Sequence, residues 1–125
     1  MRKAFKILLS IMAISILLIG CGEKMPKITK EAVSVDNDYG IFGTMTWFSN
    51  SDKENLNFIS LQQEIYNEKD ELIETLNTNY TNEDIKLNDG MAYSEIGYYK
   101  EYGLTEEQAK KCTVKNNILS FEYKD

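Results

Sequence analysis

The chain reads as mainly β: a small β-sandwich with one short helix near the C-terminus. Two observations predict this. From Tyr39 onward, apolar and polar residues alternate with period two in short runs, the pattern of half-buried strands. Between the runs lie clusters of Asn, Asp, Ser and Gly at regular spacing, which end strands and form turns. Six or seven such strands suffice for two packed sheets.

The elements follow in chain order. In Thr44-Met45-Thr46-Trp47, Met45 and Trp47 are expected to face the core and the threonines solvent. Ser49 to Asn55 is a polar turn cluster. Leu56 to Tyr66 is the next strand, with Ile59, Leu61 and Ile65 on one face and Phe58 and Tyr66 on the other. Asn67 to Glu71 is a charged turn, and Leu72 to Tyr80 completes a hairpin. Thr81 to Asp84 is polar, and Ile85 and Leu87 alternate around Lys86. Asn88-Asp89-Gly90 signals a tight turn into Met91–Ile96. Thr105-x-x-Gln108 is a capping box that starts the one helix, with Glu106 and Glu107 in its first turn and Lys110 and Lys111 in its last. Cys112 and Val114 share one phase, and Leu119, Phe121 and Tyr123 the other, so a bulge or turn near Asn116-Asn117 must reset the face. Trp47, Phe48, Phe58, Tyr66 and Phe121 are the expected core aromatics, with Tyr93 also inside. Trp47→Ala should then cost about 3–5 kcal/mol.

The first residues carry a different signal. Arg2, Lys3 and Lys6 precede an apolar run from Ile7 to Ile19 that is interrupted only by Ser10 and Ser15. The run falls short of the roughly 20 residues that cross a bilayer, and with its basic flank it has the form of a secretory signal peptide. It ends in Leu18-Ile19-Gly20-Cys21, which resembles the lipobox of bacterial lipoproteins. The resemblance implies cleavage between Gly20 and Cys21 and a diacylglycerol on the Cys21 thiol. Two acyl chains hold a protein on a membrane where one is marginal. The expected organisation is a signal peptide over 1–20, a lipidated flexible tether over 21–38 with a reach of roughly 55 Å, and a sandwich over 39–125. The expected location is the extracytoplasmic face of the cell membrane.

The middle of the chain adds a second likeness. Thr46 to Asn55, Phe58 to Tyr66-Asn67, and Leu87-Asn88-Asp89-Gly90-Met91-Ala92-Tyr93 resemble the FxLYD-type immunoglobulin-like domains of secreted bacterial proteins. Asn67 stands where that pattern has Asp, and Asp70 where it often has Gly. The resemblance implies an immunoglobulin-like sandwich without catalysis.

Composition narrows the function. Removing Arg2, Lys3 and Lys6 from the 14 basic residues leaves 11 against 20 acidic ones, a formal balance of −9. Such a surface argues against nucleic acid or anionic lipid as partner. There are 0 histidines, which removes the usual general base, the Ser-His-Asp triad and the commonest zinc ligand. Asp36-Asn37-Asp38 begins like a calcium loop but lacks its later glycine and closing glutamate. Ser51-Asp52 with Glu54, and Glu83-Asp84 with Asp89, suit turns equally well. No metal site, cofactor or enzymatic activity is therefore expected. Cys112 is left unpaired once Cys21 carries lipid, and reads as a buried hydrophobe or a reactive thiol.

The expectation is a binding or accessory module of the cell envelope, held to the membrane through Cys21, with an envelope protein or a glycan as partner. The alternative is a small-molecule or glycan-binding lipoprotein that uses Tyr98, Tyr99 and Tyr102, since exposed tyrosines make good anchors. A carboxylate hydrolase is the remaining option.

Overall fold

The computed structural model describes residues 25–124. Six strands form two three-stranded antiparallel sheets. β1 (Ile28–Asp36), β2 (Ile41–Phe48) and β5 (Met91–Tyr98) make one, in the order β1-β2-β5. β3 (Leu56–Tyr66), β4 (Leu72–Thr81) and β6 (Thr113–Tyr123) make the other, in the order β4-β3-β6. These orders correspond to strands A-B-E and C′-C-F of an immunoglobulin-like sandwich. Three short helices, α1 (Asn50–Asn55), α2 (Asn82–Leu87) and α3 (Glu106–Lys110), lie in the connections.

Several sequence expectations are corrected. The stretch read as flexible tether contains β1, paired to β2 from Ile28 to Asp36. Val33 and Val35 pack against the core, while Thr29, Lys30 and Glu31 stay exposed. Charge along an outer strand protects a sheet edge, and here it hides the strand's alternation. Two polar turns are helices. Ser49 Oγ accepts from the Asp52 amide at 3.2 Å and caps α1. Thr81 and Asp84 form a capping box at α2, where a strand was expected around Ile85. Both caps satisfy helix-start amides that would otherwise be orphaned. The expected α3 is present, with Thr105 and Gln108 as its box.

Turns fall where the sequence places them. Asp70 and Asp89 take positive φ (62° and 55°), and Gly90 follows at 93°. The phase reset in β6 comes later than the expected Asn116-Asn117, at Leu119, because Ser120 pairs with Ser60 while Ile118 pairs with Leu61.

The largest correction concerns β2. Phe42, Thr44, Thr46 and Phe48 face the interior, and Thr44 and Thr46 are 0% exposed. Met45 and Trp47 lie on the outer face and are half-buried. The reason is a polar bridge between the sheets. Thr44 Oγ1 donates to Gln63 Oε1 at 2.8 Å. Gln63 Nε2 donates to Thr46 Oγ1 at 3.1 Å and to Asn116 Oδ1 at 2.9 Å. Asn116 Nδ2 donates to Thr46 Oγ1 at 3.2 Å and to Glu31 Oε2 at 2.6 Å. Four strands of both sheets are joined, and buried amides and hydroxyls keep their hydrogen bonds.

This belt divides the apolar core in two. Phe48, Leu56, Ile59, Leu61, Tyr80 and Ile85 cluster at the pole where the chain enters β1. Phe42, Ile65, Tyr99, Cys112 and Val114 cluster at the far pole. The near pole is fastened by the buried Asp52 carboxylate, which accepts from Lys27 N at 2.6 Å, Ser49 Oγ at 2.9 Å and Tyr123 Oη at 2.8 Å. One carboxylate thus holds the start of β1, the cap of α1 and the end of β6.

Gln63→Leu is expected to destabilise the fold by about 2–3 kcal/mol, because it leaves the Thr44 hydroxyl and Asn116 Oδ1 without their partner. Adding Thr44→Val, Thr46→Val and Asn116→Leu should recover most of that loss, since no polar group is then stranded. Urea unfolding measures both; a single variant as stable as the parent would refute the bridge.

Candidate functional site

Cys21 and Gly20, the expected lipidation and cleavage positions, lie outside the described residues. Among the described residues no helix is long and apolar enough to cross a membrane, and no group of three or more side chains is placed to hold a metal ion. The acidic spots have local roles. Asp36 Oδ1 accepts from the Asp38 amide at 3.0 Å, and Asp52 and Asp84 serve as described above.

The three expected tyrosines do not form one surface. Tyr99 is buried in the far-pole cluster, at 7% exposure. Tyr102 packs edge-on against Phe42, with centroids 5.4 Å apart, and donates to Glu74 Oε1 at 2.7 Å. Only Tyr98 is free, and its exposed companion is Tyr39 in the β1–β2 turn. Together with Asn37, Asp38, Lys100 and Glu101 they line a shallow cleft of about 550 Å³ at the far pole. Cys112 is buried, its Sγ lies 3.6 Å from the Gln108 carbonyl oxygen, and burial pushes its pKa up. It behaves as a small core residue rather than an activated nucleophile.

A different surface emerges from β2. Residues paired across a sheet share a face. The outer rows of the first sheet are Lys30–Trp47–Met91, Ala32–Met45–Tyr93 and Ser34–Gly43–Glu95. A tryptophan, two methionines, a tyrosine and an alanine are therefore contiguous on the outside. Tyr93, expected in the core, lies here across Gly43. A Cβ at Gly43 would fall 2.5 Å from Tyr93 Oη and 2.6 Å from the Ser94 carbonyl oxygen, so only glycine lets the ring settle on the backbone. Lys30 Nζ sits 4.9 Å from the Trp47 ring centroid, a cation–π contact at the rim. The patch is bordered by Lys30 at one end and Glu95 at the other. Sequence reasoning missed it because a four-residue window assigned Met45 and Trp47 to the core. The wider run Phe42-x-Thr44-x-Thr46-x-Phe48 places apolar residues on the opposite face as well, so the strand alone leaves the choice open.

Comparison of the chain with protein-family models, with curated proteins and with solved structures finds no match. The arrangement itself defines the class: a small all-antiparallel β-sandwich with an apolar outer face.

Burial first, then the bond to Glu74 and the charges of Glu74 and Glu101, push the Tyr102 hydroxyl up to about 12. Its folded value lies above the ordinary 10.0, so its contribution to stability is complete below about pH 10 and is lost as pH rises toward 12. Stability measured by circular dichroism should fall less steeply across this window in Tyr102→Phe than in the parent. Identical slopes would contradict the assignment.

Proposed function

We propose that this chain is a lipid-anchored binding module on the extracytoplasmic face of the cell membrane, and that its Trp47 face docks on an envelope protein. The carrying observation is the inversion of β2, which holds threonines inside while Trp47 and Met45 lie outside. A one-residue slip of this strand would exchange the two faces. Trp, Tyr and Met are the side chains enriched in the cores of protein interfaces. The acidic balance of the chain disfavours nucleic acid and anionic lipid.

The anchor reading rests on the lipobox-like Leu18-Ile19-Gly20-Cys21. With β1 starting at Ile28, the link from Cys21 to Lys27 reaches at most about 22 Å. The sandwich would then stay close to the bilayer, where a membrane protein is the nearest partner. The resemblance to FxLYD-type domains agrees with a non-catalytic role.

Two measurements test this. Cys21→Ala should leave the precursor uncleaved and without a diacylglycerol, as read by intact mass; normal processing with firm membrane attachment would refute the anchor. A photo-crosslinker at position 45 in intact cells should yield one discrete adduct. Trp47→Ser should lose it while costing no more than about 2 kcal/mol of stability, as the ring is half-buried. An adduct that survives Trp47→Ser would refute the docking face.

A further inference from the structure

The outer face of the second sheet has a chemistry of its own. Its central rows are Asn79–Ser60–Ser120 and Asn77–Gln62–Asn117. All six side chains are neutral amides or hydroxyls, in a chain where 27% of residues are charged. Asparagine is disfavoured in strands. Asn116 is explained by the interior bridge, but Asn77, Asn79 and Asn117 point the other way and the interior makes no use of them. Ser60 Oγ donates to Asn79 Oδ1, which fixes one pair. Asn117 Nδ2 reaches Glu64 Oε1 only at 3.5 Å. The side chains of Gln62, Asn77 and Ser120 make no hydrogen bond to the protein among the described residues. They offer donors and acceptors together, at fixed spacing, on rigid strands.

Aromatic rings bracket this field. Phe58 and Tyr66 occupy outward positions at the two ends of β3 and are half-buried. They are roughly 27 Å apart along the strand, too far for one sugar ring and suited to an extended oligosaccharide. Amides pair with neighbouring hydroxyls through donor and acceptor at once, and ring faces pack on the apolar side of a pyranose.

We infer that the β4-β3-β6 face binds a neutral, extended glycan. A polyhydroxylated chain without charge matches a face that carries both donors and acceptors and no charge in its central rows. The flanking rows hold Glu64 with Lys115 on one side and Glu122 on the other, charges too few and too mixed in sign to serve a polyanion or a polycation. This surface is on the opposite side of the sandwich from Trp47, so the inference does not depend on the docking reading.

The test uses the full chain in detergent micelles, with insoluble cellulose and chitin as neutral probes and polygalacturonate beads as the anionic control. The parent should sediment with at least one neutral polymer, equally at low and high salt. Asn77→Asp with Gln62→Glu keeps side-chain shape but adds charge, and should weaken retention at least tenfold. The milder Gln62→Ala with Ser120→Ala should weaken it severalfold, which guards against a folding defect in the first pair. Trp47→Ser should be retained like the parent. The inference is overturned if neither neutral polymer retains the parent. It is also overturned if the Asn77/Gln62 variant binds unchanged, or if only polygalacturonate binds. Sedimentation showing that this face instead joins two copies of the chain would overturn it too.

Discussion

The Gln63 side-chain amide is where the two sheets are joined. It lies in phase with Ile59, Leu61 and Ile65 and is 0% exposed, so it must find its partners inside. Thr44, Thr46 and Asn116 supply them. A buried amide without partners costs more than its bonds return when made, which makes the network a constraint rather than an ornament. It fixes which face of β2 turns inward. Everything outward on that strand follows, including the outward position of Trp47 and the seat of Tyr93 on Gly43.

This constraint also explains why hydropathy alone misjudged the strand. Both faces of β2 are half apolar: Phe42 and Phe48 lie on one, Met45 and Trp47 on the other. Burial energy alone would favour the face carrying Trp47. The deciding evidence lay elsewhere in the chain, in Gln63 and Asn116 in apolar rows of β3 and β6. Long-range pairing of this sort cannot be read from one strand's periodicity. Other features were legible because they are local. The β3–β4 hairpin, the Asn88-Asp89-Gly90 turn and the α3 capping box each depend on a few neighbouring residues. α1 and α2 were missed although Ser49-x-x-Asp52 and Thr81-x-x-Asp84 are spaced like the Thr105 box, because their N3 residue is Asp rather than Glu or Gln and both lie in Asn- and Asp-rich clusters that read equally well as turns. For the candidate site, the tyrosine cluster was visible in the sequence but its fate was not. Tyr99 and Tyr102 were claimed by packing against the far-pole core, and only Tyr98 was left outside.

The sandwich therefore has two unlike outer faces. One is aromatic and thioether-rich around Trp47; the other is amide-rich and uncharged in the rows of Ser60 and Gln62. Between them runs an interior that is polar at its middle and apolar at each pole. The Asp52 carboxylate closes the pole at which the N-terminal segment joins, and it holds that segment's backbone directly through Lys27. A module tethered there would present both faces sideways and its Tyr39–Tyr98 cleft away from the attachment point.

The most direct measurement is the solvent accessibility of the single tryptophan in the folded, full-length protein, read by acrylamide quenching of its fluorescence. With Thr44 and Thr46 bound to Gln63, the indole is on the outside and quenching should be substantial before any unfolding. An indole that stays shielded from acrylamide until the chain unfolds would place Trp47 in the core and contradict the orientation of β2.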